Sequence, residues 1–168
     1  GMLLAAFDPW RASTHLRQAA REPVYAADAT ALVEVLASDT GDPLISMRVG
    51  LALSEMRRWS LAEQAFQQAA RIGYPFPEAL AYAALARERQ GKDGGPWMRQ
   101  ALTLGVNVPQ VQFVHGLQRR AAGEYEASRD AFIQAVRLDP NNPAYFSELG
   151  TAYHLLFDYE RAQRWLRM

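Results

Sequence analysis

Three histidines, His15, His115 and His154, are the residues of this 168-residue chain best suited to bind a metal or to act as a base. A zinc site needs several nitrogen, sulfur or carboxylate ligands brought together, as in the helical His-Glu-x-x-His motif. That motif is missing from the sequence, and the chain has no cysteine. We therefore expect no metal site and no thiol chemistry, with the histidines lying in a core or on a surface.

Two other groups of residues have types that could do chemistry. The segment 91–95, Gly-Lys-Asp-Gly-Gly, is similar in composition to a phosphate-binding loop, but it lacks the GxxxxGK[ST] order and follows no predicted strand. Glu124 and Glu126 stand at a predicted turn, where negative charge suits the start of the next helix. We expect a shortened helical turn and a solvated cap at these places. The sequence therefore predicts a protein with no catalytic residues and no cofactor, although an enzyme remains a third class to be tested by a turnover screen.

The charge pattern bears on the kind of partner. Eighteen basic residues balance eighteen acidic ones, and the doublets Arg57-Arg58 and Arg119-Arg120 are isolated from one another by acidic residues. We expect no nucleic-acid binding, because such proteins concentrate basic residues on one face. No run approaches the roughly 18 apolar residues of a membrane helix, and the first residues do not form a signal peptide. We expect a bacterial cytoplasmic protein, or a periplasmic one if a leader has been removed.

Five prolines indicate the elements that position these residues. Pro9, Pro43, Pro77, Pro109 and Pro143 follow one another at intervals of 34, 34, 32 and 34 residues. Proline suits the first turn of a helix, where its missing N–H would be unbonded and its fixed φ is already helical. Three of the five follow an Asp or Asn, which are good N-cap residues. The period predicts a stack of like helical hairpins.

Each hairpin pairs a small residue with a bulky one. The small residues recur at one position of each first helix, and the bulky ones recur on the second helices. A small residue lets the paired helix approach closely, and a bulky side chain fills the space beside it. The small set is Gly50, Ala84, Gly116 and Gly150, and the bulky set is Phe66, Phe132 and Leu166.

The last unit carries the family signature. Its residues in register are Phe146, Leu149, Gly150, Tyr153, Ala162 and Leu166. This order is similar to Trp-x2-Leu-Gly-x2-Tyr followed by Ala-x3-Phe, so the chain resembles tetratricopeptide repeat proteins, well over 43–168 and weakly over 9–42. The resemblance implies an all-α, right-handed superhelix of helix–turn–helix units. It predicts an N-terminal helical pair or cap at 1–42 and an array at 43–168, with units 43–76, 77–108, 109–142 and 143–168.

The resemblance also implies a function. First helices of such arrays line a concave groove that takes an extended or helical peptide, so we expect a non-enzymatic protein-interaction module. The alternative is a chaperone-like or secretion-associated holder of partner subunits. The predicted groove residues are Met47, Leu51, Leu85, Phe113, Leu117, Arg120, Thr151 and His154.

Two alternatives concern how these surfaces are used. The groove binds either a partner or the chain's own N-terminal segment, through Phe7 and Trp10. The C-terminal repeat ends partway through a second helix, which indicates either a truncated chain or end-to-end self-association. Partly open Tyr153, Trp165 and Leu166 would then form the contact.

Overall fold

The structure, a computed structural model, describes residues 41–167. All the regular structure of these residues is helical. The predicted N-terminal pair lies almost wholly outside these residues, as do Pro9, His15 and the predicted contacts of Phe7 and Trp10. Eight helices follow one another as four hairpins. They are α1 (Pro43–Glu55), α2 (Trp59–Ile72), α3 (Pro77–Glu88), α4 (Gly95–Gly105), α5 (Pro109–Ala121), α6 (Tyr125–Leu138), α7 (Pro143–Leu155) and α8 (Tyr159–Leu166).

Every first helix begins at one of the periodic prolines. Asp42 and Asn142 precede two of them, and their side-chain oxygens accept hydrogen bonds from Leu44 N at 2.8 Å and Ala144 N at 3.1 Å. These bonds satisfy N–H groups that a helix start otherwise leaves unbonded. The helix starts expected from the sequence at Pro43 and Pro143 therefore have the expected caps.

The turn inside each hairpin places one residue in the left-handed backbone region. The φ angles are 56° at Arg57, 74° at Gly91, 79° at Gly123 and 61° at Phe157. Glycine adopts this conformation at little cost, whereas an L-residue with a side chain is strained there by roughly 1–2 kcal/mol. Two of the four turns therefore carry local strain.

The close approach predicted between small and bulky residues is present. A Cβ added at Gly50 would lie 2.5 Å from the Phe66 ring, and one added at Gly116 would lie 2.6 Å from the Phe132 ring. In the shortened unit, Gly94 at the start of α4 lies against the carbonyl oxygen of Ala84, where a Cβ would collide with the backbone. The small residues thus set the distance between paired helices.

A buried carboxylate ties the first hairpin to the second. Glu63 of α2 is only 6% exposed, and it accepts hydrogen bonds from Arg87 Nη1 and Gln90 Nε2, each at 2.7 Å. Lys92 Nζ lies 3.4 Å from the same carboxylate. Burial raises the pKa of Glu63, but the bonds from Gln90 and Arg87 and the nearby cations outweigh it and hold the pKa below 4.5. The segment 91–95 is therefore held to the protein by its own lysine.

The C-terminal hairpin differs in part from the expectation. Tyr153 is buried rather than partly open, because it belongs to the core between α7 and its neighbours, with the Arg161 guanidinium 5.8 Å from its ring. Trp165 is half-buried and stacks on Phe146 with ring centroids 5.7 Å apart. Leu166 lies against Gly150 yet remains 55% exposed.

Candidate functional site

Five of the predicted groove residues form one apolar stripe, called here the first-helix stripe. Its members come from three successive first helices, and each is half-buried. They are Met47 and Leu51 of α1, Leu85 of α3, and Phe113 and Leu117 of α5. Each packs against the edge of a core cluster with part of its surface and leaves part of it accessible. The stripe is therefore both a boundary of the core and a surface that a ligand can contact.

Shared members make the stripe continuous. Met47 packs against both the first and the second core cluster along the chain, and Phe113 packs against both the second and the third. A residue that borders two clusters lies across the junction between hairpins. The stripe thus runs along the array rather than forming separate patches on each hairpin.

Phe113 is the most firmly anchored member of the stripe. Its ring centroid lies 5.1 Å from that of Tyr145 and 5.9 Å from that of Phe132. Tilted aromatic pairs at these distances add stability beyond the burial of area. Phe113 therefore contributes to the fold as well as to the surface.

The predicted polar residues lie beyond the stripe, on α5 and α7. Arg120 is paired with Glu148 of α7, and its guanidinium lies 6.0 Å from the centre of the Phe132 ring. Thr151 donates its hydroxyl to the carbonyl oxygen of Ser147 at 2.9 Å. The positive charge of Arg120 is thus compensated within the protein, which leaves it poorly suited to clamp a ligand carboxylate.

His154 and His115 do not converge on one site. His154 is exposed, with its ring centroid 5.3 Å from that of Tyr159, whereas Nε2 of His115 accepts a hydrogen bond from Arg119 Nε at 2.9 Å. Burial lowers the pKa of His115, and the charge of Arg119 lowers it further. Within residues 41–167 no group of three or more His, Asp or Glu side chains could hold a metal ion.

Sequence reasoning missed two tyrosines next to the stripe. Tyr82 of α3 stacks on Phe66 with ring centroids 5.4 Å apart, and burial followed by the charge of Glu78 raises its pKa to about 12. Burial also raises the pKa of Tyr145, whose hydroxyl makes no hydrogen bond of good geometry within residues 41–167, although the Asn142 side chain lies close enough to oppose that rise in pKa. Tyr82 lies three residues before Leu85, which is one turn away on the same helix, so the helical spacing could have indicated it.

Hydrogen bonds between first helices were also not predicted. Gln118 of α5 is bonded to Glu88 of α3, across the junction that follows the shortened unit. Together with the Arg120–Glu148 pair, it ties α5 to the first helix on either side. These bonds fix the spacing of the residues along the first-helix stripe.

Comparison with known proteins identifies the repeat. Residues 116–156 match the family model described as TPR repeat, and they cover the end of α5 and the whole of α6 and α7. This part of the chain carries a tetratricopeptide repeat. The family resemblance read from Phe146, Leu149, Gly150 and Tyr153 is therefore confirmed.

Solved structures have a similar fold over nearly the whole chain. MamA (41-end) from Desulfovibrio magneticus RS-1 aligns with a TM-score of 0.59 and 17% identity, covering 93% of this chain and 92% of that one. A structure titled as the crystal structure of MamA protein gives a TM-score of 0.58 and 13% identity, covering 94% and 90%. None of the curated proteins matches the chain in sequence. The predicted all-α superhelix of hairpins is confirmed, and at these identities the likeness concerns the fold alone.

Within residues 41–167 no helix is long and apolar enough to cross a membrane. The groove residues named from the sequence stay a prediction as a binding site. Their positions nevertheless define a surface that can be tested directly.

Proposed function

We propose that this tetratricopeptide repeat chain is a protein-interaction scaffold that binds an extended or helical segment of another protein along the first-helix stripe. The observation that carries the proposal is the continuity of the stripe across three hairpins. Soluble proteins rarely expose a long apolar surface without a partner for it. A helical or extended segment presents apolar side chains at regular spacing, which suits a stripe with one or two apolar residues per hairpin.

The chemistry of the stripe favours apolar anchors in the ligand. Met47 and Leu51 stand in the first hairpin, and Phe113 and Leu117 in the third, at places where some tetratricopeptide repeats carry residues that clamp a terminal carboxylate. Arg120 is the nearest cation on α5, and it is already paired with Glu148. We therefore expect recognition of internal apolar side chains rather than of a chain terminus.

The test selects peptides from a library displayed on phage, using the immobilised full chain. Binding of the selected peptides is then measured for the parent and for the double variant Leu85→Asp with Leu117→Asp. Phe113 is left unchanged because it packs between Tyr145 and Phe132, and an aspartate there would unfold the array.

The matched control is Leu104→Asp. Leu104 is an exposed leucine of α4, outside the stripe, with 37% of its surface accessible. We expect the stripe variant to lose at least about tenfold in affinity while the control binds as the parent does. Circular dichroism confirms that each variant is folded. Equal affinities for parent, stripe variant and control would overturn the proposal.

A further inference from the structure

Two carboxylates of α3 flank the first-helix stripe. Glu78 lies in the first turn of the helix and Glu88 is its last residue, and both are half-buried. Glu78 comes seven residues before Leu85 and Glu88 three residues after it, and residues at these spacings share one face of a helix. Burial and then the charge of Glu78 raise the pKa of Tyr82, which lies between Glu78 and Leu85 on this face. Both carboxylates therefore lie beside the leucine that α3 adds to the stripe.

Neither carboxylate is paired with a cation. Within residues 41–167 Glu78 has no hydrogen-bond or ion-pair partner, and Glu88 is bonded to the neutral amide of Gln118. Arg89 follows Glu88 in sequence, but its guanidinium lies over the Trp59 ring, 5.9 Å from the ring centroid. The negative charges of Glu78 and Glu88 are therefore left uncompensated.

The other charged side chains of the first helices already have partners. This holds for both signs of charge, and Arg120 of α5 is paired with a carboxylate of α7 rather than with Glu88. The residues matched in this way are Arg48, Glu55, Arg87, Arg119, Arg120 and Glu148. The stripe therefore has a net negative charge on its flanks, although the chain as a whole is neutral. A complementary ligand combines apolar side chains with positive charge.

The separation of the two carboxylates suits a helical ligand. Glu78 and Glu88 are ten residues apart, which at a rise of about 1.5 Å per residue is about 15 Å along α3. An α-helix with its side chains is about 10–12 Å wide, so a helix lying along the stripe leaves one carboxylate on each side. Its apolar side chains at i, i+3, i+4 and i+7 contact the stripe. Long basic side chains on its two flanks can then extend to the carboxylates.

We infer that the segment bound by the first-helix stripe is a basic amphipathic helix of another protein, with lysine or arginine on both sides of its apolar face. This inference rests on the proposed function and names the class of its partner. An acidic helix fits less well, because its carboxylates would approach Glu78 and Glu88 and like charges repel.

The experiment compares labelled helical peptides that share one leucine face and differ only at the flanking positions, which are lysine, glutamine or glutamate. A scrambled form of the lysine peptide, whose leucines do not share a face, is the ligand control. Affinity for the full chain is measured by fluorescence anisotropy. We expect the lysine peptide to bind at least about fivefold more tightly than the glutamine peptide, and this preference to shrink as salt is added. The glutamate and scrambled peptides should bind most weakly.

Two results would overturn the inference. One is equal affinity for the lysine and glutamine peptides. The other is equal affinity for the lysine peptide and its scrambled form, because binding would then depend on composition rather than on an amphipathic helix.

Charge reversal locates the site. Glu78→Lys should weaken binding of the lysine peptide by about tenfold and strengthen binding of the glutamate peptide. Glu126→Lys is the matched control, because Glu126 also lies in the first turn of its helix, α6, and has no hydrogen-bond or ion-pair partner in the described part of the chain. Both variants change the net charge equally, and circular dichroism confirms that each is folded. Equal effects of the two variants would refute the inference, since the peptide would then respond to net charge alone.

The proposed function and this inference fail separately. If the lysine and glutamine peptides bind the parent equally and the Leu85→Asp, Leu117→Asp variant loses both, the stripe binds a segment without selecting for charge, and only the inference falls. If that variant binds every peptide as the parent does, the stripe is not the site and both proposals fall. Absence of binding by all the peptides would overturn the inference, while the phage selection decides the proposed function.

Discussion

Replacing Gly116 by alanine should destabilise the protein, whereas the same replacement at Gly150 should have almost no effect. Both glycines occupy the same position of a first helix, so the local backbone is matched. A Cβ at Gly116 would lie 2.6 Å from Cε1 and 2.7 Å from Cδ1 of Phe132, whereas one at Gly150 would lie 2.7 Å from Cγ of Leu166. The initial collisions are therefore nearly equal.

The two neighbours differ in their freedom to move. Phe132 is fully buried, with Phe113 packed against it, so its ring cannot withdraw. Leu166 is 55% exposed near the end of α8, and its side chain can rotate toward solvent. Overpacking a fixed core costs about 1–3 kcal/mol. Alanine in a helix returns about 1 kcal/mol relative to glycine.

We therefore expect Gly116→Ala to lower the free energy of unfolding by up to about 2 kcal/mol and Gly150→Ala to change it by less than about 0.5 kcal/mol. Urea denaturation followed by circular dichroism measures both. Gly50→Ala provides an internal repeat of the first case, because Phe66 is also fully buried and 2.5 Å from the added atom. A loss at Gly150 equal to or larger than the loss at Gly116 would refute the reasoning from side-chain mobility.

Four further predictions concern single residues. Phe157→Gly should raise the free energy of unfolding by about 0.5–1 kcal/mol, because relief of left-handed strain exceeds the entropic cost of glycine; a lower melting temperature would contradict it. Tyr145→Phe should be neutral or stabilising in the same urea assay, since it removes a buried hydroxyl that makes no hydrogen bond of good geometry within residues 41–167. Glu63→Gln should cost about 1.5–3 kcal/mol at neutral pH, and its difference from the parent should shrink below pH 4.5, where the lowered pKa of Glu63 no longer favours the folded state. The lowered pKa of His115 means that the unfolded chain binds more protons below pH 6.5, so the parent should lose stability relative to His115→Gln between pH 7.5 and pH 5.5; parallel pH profiles would count against this.

The helix starts and the pairing of small with bulky residues could be predicted because they depend on local chemistry. Proline fixes its own φ, Asp42 and Asn142 bond N–H groups two residues ahead, and Gly116 meets Phe132 within one hairpin. Such relations repeat with the chain and are visible in its spacing. The left-handed φ at Phe157 was not foreseen, because a turn between packed helices imposes it on whichever residue stands there.

The contacts between hairpins could not be predicted in the same way. The Gln118–Glu88 and Arg120–Glu148 bonds join residues about thirty positions apart, and their formation depends on the angle at which one hairpin lies on the next. The burial of Tyr153 likewise depends on how α7 lies against the neighbouring helices. Sequence spacing specifies the face of a helix but not the neighbour that covers it.

By itself, therefore, the sequence determined the repeat, its helices and the apolar face of each first helix, because periodicity and proline geometry are properties of neighbouring residues. Only the tertiary structure decided that Met47 and Phe113 bridge successive core clusters and that the charge of Arg120 is already compensated. These features arise where surfaces from distant parts of the chain meet. The free energy of burying those surfaces decides which side chains remain accessible.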